Sequence, residues 1–203
     1  MSNDLVWAMG RKEEAGFLVE REFLDGDPRK IEYVDTTLDM GDNPLFEAGR
    51  MYAGREVKPE HIPTKMMWSS KKHRPYDVFM QRGLILVSQE FKDIVEKLEP
   101  STHQFFPIEV VYKDGSHARP MYFFNVCVRL DTMNRAHATA KMLHGISWDP
   151  SSGEFIFSKD QIGSRKVWID KHVIHGLFFS NDIKTEIEKE KLTGAAFNGF
   201  PVF

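Results

Sequence analysis

The sequence predicts an α+β fold, a mainly antiparallel sheet packed with two or more helices. Three observations point there. Strand-like and helix-like stretches do not alternate regularly, which argues against a doubly wound parallel sheet. Two long β-rich runs, 105–113 and 116–130, flank the turn pair Asp114-Gly115. A third stretch, from Ser88 to Pro100, combines a capping residue with apolar residues at helical spacing.

Taken in chain order, the N-terminal third is rich in turns. Asp25-Gly26-Asp27-Pro28 and Gly41-Asp42-Asn43-Pro44 gather the residues that favour turn geometry. Short strands are expected at 16–23 and 30–34, and 35–55 reads as loop. The stretch through Pro59 and Pro63 reads as an irregular connection, and 65–69 as a further strand.

From Leu84 the pattern sharpens. Leu84-Ile85-Leu86-Val87 is a short apolar run, the signature of a buried strand. Ser88 follows as a helix N-cap, and Glu90 places negative charge in the first turn. Phe91, Ile94, Val95 and Leu98 fall at i, i+3, i+4 and i+7 and define one buried face. Asp93 and Lys97 can pair on the other, and Pro100 stops the helix. The hairpin comes next, with Asp114-Gly115 as a two-residue type I′ turn. Strands at 154–158 and 166–170 follow. Ser180 caps a second helix with Asp182 in its first turn and Lys189 and Lys191 in its last, as the helix dipole favours. Ile183 and Ile187 mark its buried face, Leu192-Thr193-Gly194 ends it, and 195–197 returns as a short strand.

The 203 residues suffice for one domain or two joined subdomains with a real core, and 41% hydrophobic against 28% charged residues is ordinary for a globular chain. Charge is distributed unevenly. Residues 1–60 carry 14 acidic and 8 basic residues, a net of −6, whereas the remainder carries 16 acidic and 19 basic, a net of +3. An acidic, loop-rich N-terminal subdomain over 1–80 and an α+β domain over 81–203 are therefore expected. A whole-chain charge of −3 argues against a nucleic-acid partner. No apolar run approaches the roughly 18–20 residues that cross a bilayer, and no secretory signal is visible. A cytoplasmic protein with no membrane partner is expected. The sole cysteine, Cys127, sits in an aromatic and β-branched run and reads as a buried, reduced thiol.

Catalytic signatures are absent. There is no Gly-rich phosphate loop, no His-Glu-x-x-His and no Gly-x-Ser-x-Gly. No cofactor or metal is expected. His172 and His175 have His-x-x-His spacing, but Gly176 argues against the helix that would put them on one face. His73, Arg74, Tyr76 and Asp77 form a polar cluster open to two readings, an acid–base group or a hydrogen-bonded loop. His103 is expected to bond to backbone or face solvent, Asp131 to cap a turn, and Trp168 to lie in the core. The N-terminal acids offer a sharper possibility. Asp25, Asp27, Glu32, Asp35, Asp39, Asp42 and Glu47, with the aromatics Phe46 and Tyr52, compose a surface suited to a basic protein partner. The other reading of the same acids is a solvated polar face.

The stretch from Leu86 to Pro100 leads into His103-Gln104-Phe105-Phe106-Pro107, then Asp114-Gly115, then an aromatic strand with Tyr122, Asn125 and Asp131. Further on come Lys159-Asp160-Gln161-Ile162-Gly163, Trp168, a Ser-Asp helix start and Thr193-Gly194-Ala195-Ala196-Phe197. In order and spacing this resembles the immunity protein 11 family of bacterial polymorphic toxin systems over roughly 84–199. The resemblance implies a non-catalytic protein that binds and neutralises a cognate toxin, with the shared positions holding the fold. Two other classes stay open on the residues: a small hydrolase or nuclease using His73, Asp77 or His172 with His175, and a small-molecule-binding module.

Overall fold

The computed structural model describes residues 4–11, 19–36, 53–174 and 176–203. The chain begins with β1 (Leu5–Arg11), β2 (Arg21–Phe23), a 3-10 turn (Pro28–Lys30), β3 (Lys65–Trp68), β4 (Val78–Gln81) and β5 (Leu84–Val87). Helix α1 (Gln89–Leu98) leads into the hairpin β6 (Gln104–Tyr112) and β7 (His117–Asn125). Short elements follow: β8 (Arg129–Leu130), β9 (Lys141–Leu143), β10 (Ser147–Asp149) and α2 (Lys159–Ile162). The last are β11 (Val167–Asp170), β12 (Leu177–Ser180), α3 (Asn181–Lys189) and β13 (Ala195–Pro201).

The strands form two large sheets. One has six strands in the order β2-β3-β6-β7-β5-β4, the other five in the order β13-β1-β12-β11-β8, and β9 and β10 pair separately. The α+β class holds and most strand pairs are antiparallel, as expected, but each large sheet is mixed, with one parallel pair. β3 runs parallel to β6, and β8 parallel to β11. In each case the intervening chain supplies the long crossover that parallel neighbours require. Apolar patterning shows that a strand is buried but not which way its neighbour runs.

Period-two alternation explains how the five-stranded sheet serves two cores. Val167 and Ile169 of β11, with Leu177 and Phe179 of β12, face the large core shared with α1 and the six-stranded sheet. Trp168 and Phe178 point the other way, into a second core with Val6, Met133, Trp148, Phe155 and Phe157. Helix α1 stands between the sheets. Its Phe91 meets Phe124 of β7 edge-on at 5.6 Å and Phe179 of β12 at 6.3 Å. Among the described residues no helix is long and apolar enough to cross a membrane.

Local expectations fared unevenly. Ser88 caps α1 as predicted, accepting from the Phe91 N–H at 3.3 Å. The hairpin loop differs. Gly115 N–H donates to the Tyr112 carbonyl at 2.9 Å, Tyr112 N–H donates to Ser116, and only Gly115 in the loop has a positive φ, +82°. This is a three-residue loop closing on a left-handed glycine, not a type I′ turn. β7 stops at Asn125 rather than near 130, and the Asn125 side chain bonds to the Arg55 carbonyl. The strands expected at 30–34 and 154–158 reduce to isolated bridges at Tyr33 and Phe157. The Gly41-Asp42-Asn43-Pro44 turn and the start of the strand expected at 16–23 lie outside the described residues.

Candidate functional site

Asp25 and Asp27 are held by local polar contacts. The Asp25 carboxylate accepts from the backbone N–H groups of Thr64 and Lys65 at 2.8 and 2.9 Å, and from the Thr64 hydroxyl. Burial pushes its pKa up, but these hydrogen bonds outweigh burial and hold it below the usual carboxylate range. Gly26 beside it has φ +67°, and a Cβ there would lie 2.6 Å from the Pro63 nitrogen, so the turn is closed tightly on the 61–65 segment. Asp27 caps the 3-10 turn, accepting from the Arg29 N–H and Nε at 3.1 Å each. The Arg29 side chain and backbone N–H hold the Asp27 carboxyl low. Asp35 is exposed, and Arg55 donates to its backbone carbonyl at 3.5 Å. Asp39, Asp42, Phe46, Glu47 and Tyr52 lie outside the described residues.

Residues 32–35 and 55–58 meet as a two-sided stem. Tyr33 bridges Val57, Val34 N–H donates to Glu56 at 3.0 Å, Lys58 N–H donates to Glu32 at 2.8 Å, and the Lys58 and Glu32 side chains pair at 3.0 Å. One side of this stem is latched to the large hairpin. Gln104 uses its amide as a strand would: its Oε1 accepts from Val57 N–H at 2.8 Å and its Nε2 donates to the Val57 carbonyl at 3.0 Å. Asn125 donates from Nδ2 to the Arg55 carbonyl and to Gln104 Oε1, each at 2.8 Å. Arg129 donates to the Ala53 carbonyl at 3.2 Å. Gly54 has φ +67°, and a Cβ there would stand 2.6 Å from the Arg129 Cβ, so only glycine fits between stem and latch. The stem thus carries the chain into and out of the 36–54 stretch from a fixed base.

Beneath the latch lies a buried ion cluster. His103 Nδ1 accepts from the Cys127 N–H at 3.2 Å, so Nε2 carries the proton and donates to Glu99 at 3.2 Å. Glu99 also accepts from Arg165 at 3.3 Å and from the Lys166 and Val167 N–H groups at 3.2 and 2.9 Å. His103 therefore bonds to backbone, as expected, but through a side chain with no exposure.

The groups considered for chemistry are engaged in the fold. Asp77 accepts from Arg119 at 2.9 Å and from the Thr193 N–H and hydroxyl at 2.7 Å each. Its pKa is pushed up by burial yet held low by the Thr193 and Arg119 bonds. The backbone carbonyl of His73 receives the Trp68 indole N–H at 2.6 Å. His172 lies in the turn after β11 in the other sheet, where its Nδ1 donates to the Ile146 carbonyl at 2.8 Å and its Nε2 stands 3.7 Å from Asp131. Asp131 pairs with Arg135 at 2.8 Å, and His175 lies outside the described residues. Burial pushes the Cys127 thiol up to about 12, which leaves almost no thiolate at neutral pH. Trp168 is fully buried, as expected, and its indole donates to Thr132 at 3.1 Å. Among the described residues no three His, Cys, Asp or Glu side chains gather as they would around a metal ion.

Sequence reasoning missed Gln104, Asn125 and Glu99 as organisers. The available signal was an amide or carboxylate inside or beside an aromatic run, where a buried polar group must find a partner. Residues 23–200 match an immunity protein family, Imm11. No curated protein matches the chain.

Proposed function

We propose, from the premise that the chain belongs to the Imm11 immunity protein family, that it binds a cognate toxin protein in the cytoplasm and neutralises it without catalysis. Two observations support this reading. Asp77 and His172, two of the groups that an enzyme would use, are engaged in structural hydrogen bonds. Negative charge, by contrast, is concentrated in the N-terminal part, with a net of −6 over residues 1–60.

In this reading the toxin-facing surface lies within residues 1–80, on the scaffold of 81–203. Asp25, Asp27, Asp35, Asp39, Asp42 and Glu47 supply negative potential, and Phe46 and Tyr52 supply the aromatic anchors that tight interfaces use. The stem at 32–35 and 55–58 supports the assignment, because the latch from Gln104 and Asn125 fixes the base of the intervening stretch before any partner arrives. Pre-ordering of that kind reduces the entropy lost on binding. Inhibition follows from coverage of the toxin's active site or substrate path by an interface of about 800 Å² on each side.

Co-purification of the tagged chain with the product of the adjacent gene tests the proposal. A stable complex that suppresses the partner's toxicity is expected. No binding at micromolar concentration would count against it.

A further inference from the structure

Among the described residues the five-stranded sheet ends in β13, with only the Phe157 bridge beside its C-terminal end. β13 pairs with β1 in the register Leu5 to Pro201 through Arg11 to Ala195. Val202 N–H donates to the Asp4 carbonyl at 3.0 Å. Hydrogen-bonded pairs alternate along an antiparallel ladder, so Phe200, Asn198 and Ala196 direct their backbone groups at β1. Pro201, Gly199, Phe197 and Ala195 direct theirs outward. Pro201 has no N–H to offer, and its carbonyl accepts from Phe157 N–H at 2.9 Å. The outward N–H and C=O groups of Ala195, Phe197 and Gly199 have no hydrogen-bond partner among the described residues.

Sheet edges are ordinarily blunted by brevity, charge or cover. The other edges of the two large sheets follow that rule: β8 has two residues, β2 three and β4 four. β13 has seven, none of them charged, with Asn198 and Gly199 exposed. It is a template for one more strand.

We infer that this edge pairs antiparallel with the same edge of a second copy of the chain, about a two-fold axis at Phe197. Any extended segment could bond to an open edge, but the pattern here is complete under that symmetry. Phe197 lies opposite Phe197 of the second copy, and Ala195 opposite its Gly199, so all outward groups find partners in an isologous contact. The flanking pairs are small where space is short, since a Cβ on Gly199 would stand 2.8 Å from the Trp7 ring. No like charges face each other. Phe197 also lines an open groove of about 750 Å³ with Trp7, Tyr76 and Leu192, which gives the second Phe197 ring a place to enter.

Ala196 and Asn198 share the opposite face, and each lies opposite the other residue of the second copy. This makes the register testable on the full chain. Sedimentation from low to several hundred micromolar should show a concentration-dependent dimer for the wild type. The variant Ala196→Lys with Asn198→Lys places like charges opposite and should be monomeric. Ala196→Glu with Asn198→Lys places opposite charges there and should dimerise. In the wild type, amide exchange at Phe197 and Gly199 should slow as concentration rises, a readout that needs no variant. A wild type that stays monomeric, or charge variants that associate equally, would overturn the inference. Protection at these amides that appears only when the toxin partner is added would overturn it too, and would assign the edge to that partner instead.

Discussion

Truncating Glu99 to alanine removes an acceptor that four donors converge on. His103 Nε2, the Arg165 guanidinium and the Lys166 and Val167 N–H groups all point at it, within 2.9 to 3.3 Å. Arg165 can turn to solvent, but His103 is fully enclosed and the Val167 amide is buried. A buried donor left without a partner costs about 1–3 kcal/mol, and losing one member of a buried pair about 3–5 kcal/mol. Glu99→Ala should therefore destabilise the fold by about 3–5 kcal/mol. With a urea slope of about 2–3 kcal/mol/M, the unfolding midpoint should fall by roughly 1–2 M. Glu99→Gln keeps one oxygen acceptor and should lose less than half as much.

The pH dependence carries a definite sign. Burial pushes the Glu99 pKa up, but the bonds from His103, Val167 and Arg165 prevail and hold it below its ordinary 4.5. The folded state therefore favours the carboxylate. Its contribution is complete above the ordinary value and fades as pH falls through the lower folded one. The stability gap between wild type and Glu99→Gln should narrow below pH 4.5. A midpoint shift under about 0.5 M for Glu99→Ala, worth about 1 kcal/mol, would refute the reasoning. A gap that widens in acid would refute it equally.

Other outcomes follow from the same coordinates. Gly194 has φ +88°, and a Cβ would stand 2.0 Å from the Val78 carbonyl oxygen. Gly194→Ala should cost about 2–4 kcal/mol by strain and overpacking, and lower Tm by roughly 5–15 °C; a calorimetric change under about 2 °C would contradict this. Cys127 is half-buried, and with its thiol pushed up to about 12 it should react with a disulfide reagent at pH 8 well below the rate of a free thiol. Adding denaturant below the transition should accelerate that reaction, and native-state labelling at the rate of a free thiol would show that the burial is wrong. Reversing Asp39 and Asp42 to lysine should slow association with the cognate toxin about tenfold and flatten its salt dependence, with dissociation little changed. Stopped-flow mixing reads both rates, and an unaltered association rate would remove these acids from the interface.

Parts of this architecture could be read before any coordinates. Helix α1 was legible because Ser88, the apolar spacing and Pro100 are all local signals that agree. The buried faces of α3 at Ile183 and Ile187 came from the same kind of pattern. What escaped was non-local. β1 owes its place to Phe179 and Phe197, residues far along the chain, and nothing within 5–11 announces them. The latch escaped for a related reason. Gln104 and Asn125 sit in strands that already read as aromatic ladders, and their amides gain meaning only when the 53–57 segment lies against them. Asp25 and Asp27 were legible as turn residues. Their carboxylates proved committed to Thr64, Lys65 and Arg29, which tempers the charge that they can offer a partner.

The placement of β1 between β12 and β13 also sets an order of events during synthesis. Its partners are Phe178 to Ser180 on one side and Ala195 to Pro201 on the other. At about 5–20 residues per second, the early strand waits roughly ten seconds or longer before its second neighbour leaves the ribosome. Loop closure over such a span costs on the order of 5 kcal/mol, so β1 has little reason to dock sooner. During that interval Val6 and Trp7 are exposed to whatever binds nascent chains, and the six-stranded sheet, complete once Asn125 has emerged, is free to form first.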